Sequence, residues 1–251
     1  MATWITHLRI AENLLHKIPE LDEVSFLYGN LAPDSGQPNE DWTQYDPPKE
    51  VTHFLVLPHG DDAVRDLVFY RQYLHGMDRR IHKFEYSFRL GYFVHLVTDE
   101  FWWKKIARTT ETFNQDLFSK LSRDEAFGEV KSDWYGLDHK YLRNNPDYVV
   151  WKRFFESDIP KILLPFMPQH TFDLQMNYIK EYYTTPDPER ILDRDFPYLN
   201  EKILNLFVDE TSKAIFRIIR VLENHAQPES ESSSSLFTPE ESASYYPPLG
   251  D

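Results

Sequence analysis

The 251-residue sequence contains no cysteine. Disulfides and thiolate metal sites are therefore excluded, and any zinc must be held by nitrogen and oxygen donors. Glycine is scarce, at 8 residues, which disfavours an all-β chain that needs a tight turn every few residues. No apolar run approaches the ~20 residues that span a bilayer. The opening MATWITHLRI lacks the charged-then-apolar plan of a secretion signal, so cytoplasmic residence is expected. Basic residues are outnumbered, 27 Lys and Arg against 41 Asp and Glu, for a formal charge of -14. Such a field repels nucleic acid and anionic membranes unless bound metal reverses it locally.

What the chain does have is aromatic bulk: 18 Phe, 15 Tyr and 6 Trp, enough that large rings must fill much of the core. The length suits one domain with elaborations. That domain is expected over residues 1–225. The remaining 226–251, AQPESESSSSLFTPEESASYYPPLGD, is rich in Ser, Glu and Pro and has no Lys or Arg. It reads as a disordered acidic tail, because such a composition buries too little apolar surface to offset its ordering entropy.

Helical spacing dominates the rest. Ile5, Leu8, Leu15 and Ile18 mark a first helix, with Thr3 or Thr6 as its cap and Pro19 as its stop. Residues 19–59 hold Pro33, Pro38, Pro47, Pro48 and Pro58 besides Pro19 and read as a long irregular connection. A second helix is suggested between Asp61 and His75, ending at Gly76. From Asp78 to about Ala107, Ile81, Phe84, Phe88, Tyr92, His95, Asp99, Trp102 and Ile106 draw one stripe down a helix of several turns. Residues 108–146 read as mixed loop and short helix, and 147–157, 170–183 and 198–225 as further helices. The expected fold class is all-α, a multi-helix bundle whose functional side chains project inward from several helices and one long loop.

Within GYFVHLVTDEFWW, His95 and Asp99 lie one helical turn apart on an otherwise apolar face. Burying both unpaired would cost several kcal/mol. Either they satisfy each other in the core or a metal coordinates both. Gly91, one turn earlier, leaves room for a bulky ligand or a neighbouring helix. His7 on the first helix, Asp34 in FLYGNLAPDS and His53 in EVTHF each have an ordinary reading: a core histidine, a turn residue or cap, a half-buried loop histidine. Taken together, three His and two Asp form a donor set suited to a pair of zinc ions, with one bridging carboxylate and positions left for water and substrate.

THLRIAENLL, FLYGNLAPDS, VTHF and GYFVHLVTD, in this order and spacing, resemble the zinc-dependent phospholipase C family and its smaller bacterial hydrolase relatives, over roughly residues 5–107. The resemblance implies an all-helical fold, shared with fungal single-strand nucleases, and hydrolysis of phosphoester bonds. It also implies that His53, His95, Asp34 and Asp99 bind one metal while His7 and the bridging Asp99 bind a second. Asp34 would in addition orient or deprotonate the attacking water. The family's third-zinc histidine, six residues past the bridging Asp, is Lys105 here, and His139 is followed four residues on by Arg143 where the family has a Glu. Two zinc ions per chain are expected. Trp4 is internal, whereas secreted members offer a metal the amino group of a terminal Trp.

The string LPHGDDAV offers His59, Asp61 and Asp62. Asp61 or Asp62 is preferred as a helix cap and His59 as a substrate contact. Asp138 and His139 line either the pocket mouth or a solvated loop. The leading expectation is a zinc-dependent hydrolase acting on a small phosphoester substrate. A nuclease on the same scaffold, or a non-catalytic binding protein stabilised by metal, are the alternatives; a position open to exchangeable water separates enzyme from binding protein.

Overall fold

The structure is a computed structural model that describes residues 1–40, 43–57, 60, 62–161, 164–224, 228–243 and 245. It is all-α. The helices are α1 (Trp4–Leu15), α2 (Glu23–Leu31), α3 (Lys49–Thr52), α4 (Asp66–Phe69), α5 (Lys83–Trp102), α6 (Arg108–Phe113), α7 (Gln115–Lys120), α8 (Arg123–Asn144), α9 (Val149–Glu156), α10 (Gln169–Thr184), α11 (Glu201–Asn224) and α12 (Pro239–Ser242). A short antiparallel pair, β1 (Gln37–Pro38) and β2 (Tyr45–Asp46), pins the loop before α3.

The centre of the bundle is α5, buried on every side from Tyr86 to Trp102 apart from Arg89. It packs against α2 along its length and also touches α1, α4 and α11. The α2–α5 crossing is unusually close. A Cβ built on Gly91 would lie 2.2 Å from the Phe26 carbonyl oxygen, and one on Gly29 2.0 Å from that of Phe88. Only hydrogen fits at either position, so the two backbones meet directly. The space that Gly91 leaves is thus taken by a helix.

Several expectations change. The stripe's first two residues, Ile81 and Phe84, are exposed, because α5 starts at Lys83 and its first turn projects beyond its neighbours. At its other end the helix continues through a wider turn over Trp103–Ala107. The proline-rich 19–59 stretch contains α2, capped by Asp22, whose side chain accepts from the Ser25 amide. Within 108–146 lies the 22-residue α8, opened by a reciprocal cap between Ser122 and Glu125. The second helix starts at Asp66 with Arg65 as cap. Asp62 instead sits at φ 60, with its carboxylate 3.1 Å from Lys104, and Asp61 lies outside the described residues. Thr3 occupies the α1 cap position but makes no capping bond; its hydroxyl donates to Asp138 at 2.7 Å.

The described part of 226–251 lies on the body, where composition predicted a solvated tail. The Ser233 amide and hydroxyl both donate to buried Asp66, at 2.6 and 2.5 Å. Arg71 donates to the carbonyls of Pro228 and Ser230. Phe237 stacks on Phe101 with centroids 4.0 Å apart, and Glu241 accepts from Arg217. The cations and the apolar ring that hold this segment belong to helices far from it in sequence.

Candidate metal centre

Three elements and one loop converge beside the midpoint of α5. His95 and Asp99 leave its inner face one turn apart, with His95 Nε2 3.4 Å from Asp99 Oδ2. The close α2–α5 crossing places the Asn30 carbonyl 2.7 Å from His95 Nδ1. A carbonyl can only accept, so Nδ1 carries the proton and Nε2 is left as a free donor pair directed at the cluster.

His7 comes from α1. Its ring stacks on that of His95, with centroids 3.8 Å apart and planes within 3°. Its Nε2 is 3.5 Å from Asp99 Oδ1. His53 caps α3, and its Nε2 lies 3.3 Å from Asp34 Oδ1, 3.4 Å from His95 Nε2 and 3.7 Å from Asp99 Oδ2. Tyr92, one turn before His95, donates its hydroxyl to the Thr52 carbonyl and so ties the His53 turn to α5. Asp34 sits in a 3-10 turn over Ala32–Ser35 that follows α2 directly. All five residues singled out in the sequence therefore meet.

Their donor atoms form two overlapping groups that can hold a metal ion: His7, His95 and Asp99, and Asp34, His53 and His95. His95 belongs to both. Asp99 turns Oδ1 toward His7 and the Ala2 amide, which donates at 2.8 Å, and Oδ2 toward His95 and His53. Neither nitrogen of buried His7, nor Asp99 Oδ2, has a hydrogen-bond partner. Leaving such atoms unsatisfied costs about 1–3 kcal/mol each. A cation among them removes that cost for one His7 nitrogen and for Asp99 Oδ2, so this donor set fits a metal.

For four of the five residues the protonation states agree with coordination, while the upward shift of His95 favours a proton on Nε2 that a metal would displace. Burial, with the His95 charge behind it, pushes His7 down to about 4, and burial likewise lowers His53. Burial would raise both carboxyls, but it is outweighed. The bond and charge of His53, with His95, hold Asp34 below its ordinary range, and chiefly His95 holds Asp99 well below. His95 moves upward, since Asp99 and Asp34 together overcome its burial. At neutral pH the cluster thus offers neutral His7 and His53 and two carboxylates, the forms that bind divalent ions.

Above the cluster lies a cavity of about 290 Å³ whose floor includes Asp34 and His53. His7, His95 and Asp99 are buried beneath it. Two residues named in the sequence take other roles here, and Asp138 and His139 lie buried on α8, not in a solvated loop. Trp4 donates Nε1 to Asp34 Oδ2 at 2.9 Å and fixes that carboxylate's orientation. Asp138, on α8, accepts from Thr3 Oγ1 and from Tyr183 at 2.5 Å, and so anchors the start of α1. Nothing local marks either role. His139, next to Asp138 on the same helix, is buried against Tyr182 and Tyr183. Lys105 donates to the Ala243 carbonyl at 3.1 Å and lies 4.6 Å above the Tyr245 ring, so it serves the 228–245 segment. His59 lies outside the described residues.

A helical bundle with buried, metal-competent histidines and carboxylates under an open cavity defines the class. The chain belongs to the zinc-dependent phospholipase C family, whose family model matches residues 6–163 and so includes all five residues. Zinc dependence and hydrolase chemistry come with that membership. No curated protein and no solved structure matches the chain. Among the described residues no helix is long and apolar enough to cross a membrane.

Proposed function

We propose that this protein hydrolyses phosphoester bonds with two zinc ions, one held by Asp34, His53, His95 and Asp99 and the other by His7 and the second oxygen of Asp99. The observation that carries this reading is the placement of Asp99, whose two oxygens face different histidines. Zinc at this site supplies Lewis acidity toward a phosphoryl oxygen and a nucleophile at neutral pH.

The chain's own residues do the rest. Asp34 borders the cavity and is ionised, and Trp4 occupies one of its oxygens. Its other oxygen, Oδ1, faces His53 and would bind the metal, so that Asp34 orients a water approaching from the cavity toward phosphorus from beside the ion. His95, with Nδ1 committed to Asn30, keeps one fixed tautomer throughout. The aromatic wall formed by Trp4, Trp134 and Tyr135 limits the water that surrounds the reacting phosphate.

The test is Asp99→Asn, which keeps volume but removes the charge shared between both groups. Zinc content, measured on protein purified without chelators, should fall from about two ions per chain to one or none. Turnover of a phosphoester panel should fall at least ~100-fold. A variant with full zinc and full rate refutes the assignment.

A further inference from the structure

The cavity carries charge that the zinc ligands do not use. Lys49 opens α3 four residues before His53, and Lys131 stands on α8 at the rim; both line the cavity with Asp34 and His53. Neighbouring cations are neutralised. Arg190 pairs with Asp187 at 3.4 Å, Arg194 with Asp133 at 2.6 Å, and Lys140 with Glu201 at 2.5 Å. Among the described residues, neither Lys49 nor Lys131 has a carboxylate within ion-pair distance; Lys49 lies 4.1 Å above the Tyr45 ring. After burial, the charge of Lys49 is the strongest influence lowering Lys131, so the two ammonium groups share one field. In a chain of net charge -14, two cations over the same small cavity with no contact ion pair, Lys49 feeling Asp34, Asp99 and Glu50 only at longer range, form a local exception.

The aromatic side of the cavity does not offer the alternative. Trp4, Tyr135 and Tyr182 meet edge to face, with centroids 5.5–5.7 Å apart. In each pair one ring's edge meets the other's face, so the three rings pack as one cluster and do not stand as parallel walls around a space, the arrangement in which a quaternary ammonium is bound over ring faces.

Building on the hydrolase reading above, we propose that Lys49 and Lys131 select a substrate with a second anionic group beyond the scissile phosphate, and reject one that ends in a quaternary ammonium. The scissile phosphate is directed to the floor, at Asp34 and His53. The distal anion then reaches the two ammonium groups at the rim. A cavity of about 290 Å³ admits a polar unit of glycerophosphate size and leaves any acyl chain outside.

The test is direct binding, which does not require turnover. Zinc-loaded and zinc-free protein are titrated calorimetrically with three phosphomonoesters of similar size: 3-phosphoglycerate, glycerol 3-phosphate and phosphorylcholine. The affinities should fall in that order, with about tenfold or more between the first and last. Lys131→Gln, at an exposed position, should remove part of that preference, and the Lys49→Met/Lys131→Met double variant should abolish it while zinc content and circular dichroism stay unchanged. Co-sedimentation with phosphatidylcholine vesicles, with and without phosphatidylinositol 4-phosphate, tells whether the distal anion is carried by a lipid. A lysine-dependent preference for the anion in either format supports the proposal. Equal affinity for phosphorylcholine, or a preference that survives in the double variant, overturns it. A protein that shows the lysine-dependent preference but hydrolyses none of the phosphoesters refutes the hydrolase reading alone.

Discussion

At the scale of single residues, the centre joins side chains that are readable in sequence to supports that are not. His95 and Asp99 stand out because a His and an Asp one turn apart interrupt an otherwise apolar stripe. His7, Asp34 and His53 have bland local surroundings and gain meaning only through resemblance. The supporting roles of Trp4, Asn30 and Asp138 were not legible, since each acts on a partner at least 30 residues away in the chain. Asp138 yields a prediction of its own. Burial pushes its carboxyl up to about 7, even though Tyr183 and Thr3 donate to it. A folded-state value above the unfolded one means that the folded chain holds an extra proton between about pH 4 and 7. The associated stability is present below pH 4 and lost as pH rises through 7. Asp138→Asn does not titrate, so its melting temperature should gain on the wild type as pH is raised from 4.5 to 8. The difference should correspond to about 3 kcal/mol. Parallel pH profiles for the two proteins would exclude a raised carboxyl at this position.

At the scale of elements, α10 and α11 were legible because each turns an apolar stripe inward, and α5 because its length and apolar spacing survive burial on every side. Two helices were not legible, for opposite reasons. From Ser25 to Leu31, α2 is buried all round and carries Gly29, so it shows no amphipathic pattern and a poor helix former. The buried face of α8 includes Asp133, Asp138 and His139 among its apolar residues, and these polar groups break the expected stripe. The α2–α5 crossing links packing to chemistry, because it delivers the Asn30 carbonyl to His95. Gly91→Ala should force the helices apart, lowering stability by about 3 kcal/mol and zinc affinity by about tenfold or more through the loosened His95 contact. Gly128→Ala on α8 is the matched control, since nothing lies within 4 Å of its added methyl. It should leave zinc affinity unchanged and stabilise the protein by about 0.5–1 kcal/mol. Denaturant melts and chelator competition on both variants check the pair. Equal effects from both would break the link between the crossing and the metal site.

At the scale of the whole molecule, the 228–245 segment has the composition of a solvated tail but the contacts of a strap. Its own side chains are too polar to announce a core. What orders it is supplied by Asp66, Arg71, Phe101, Lys105 and Arg217, none of which can be matched to a Ser/Glu-rich stretch by composition alone. Deleting 228–251 should uncover Phe101 and leave Asp66 without its two donors. The loss should be on the order of 3 kcal/mol, a fall in melting temperature of about 5 °C or more. Zinc content should stay unchanged, because among the described residues no hydrogen bond or ion pair joins the segment to the five centre residues. An unaltered melting temperature would show that these contacts contribute nothing in solution.

The bond between Ser233 and Asp66 spans 167 residues of chain, and that separation bears on the order in which the molecule assembles. The entropy of closing so long a loop must be met before the contact returns anything, whereas the α4–α5 contacts join elements much closer in sequence and close at less cost. Until then Asp66 faces water, where a carboxylate is well solvated. The strap is therefore expected to seat last, over a bundle already formed, and its docking converts a surface carboxylate into a buried one.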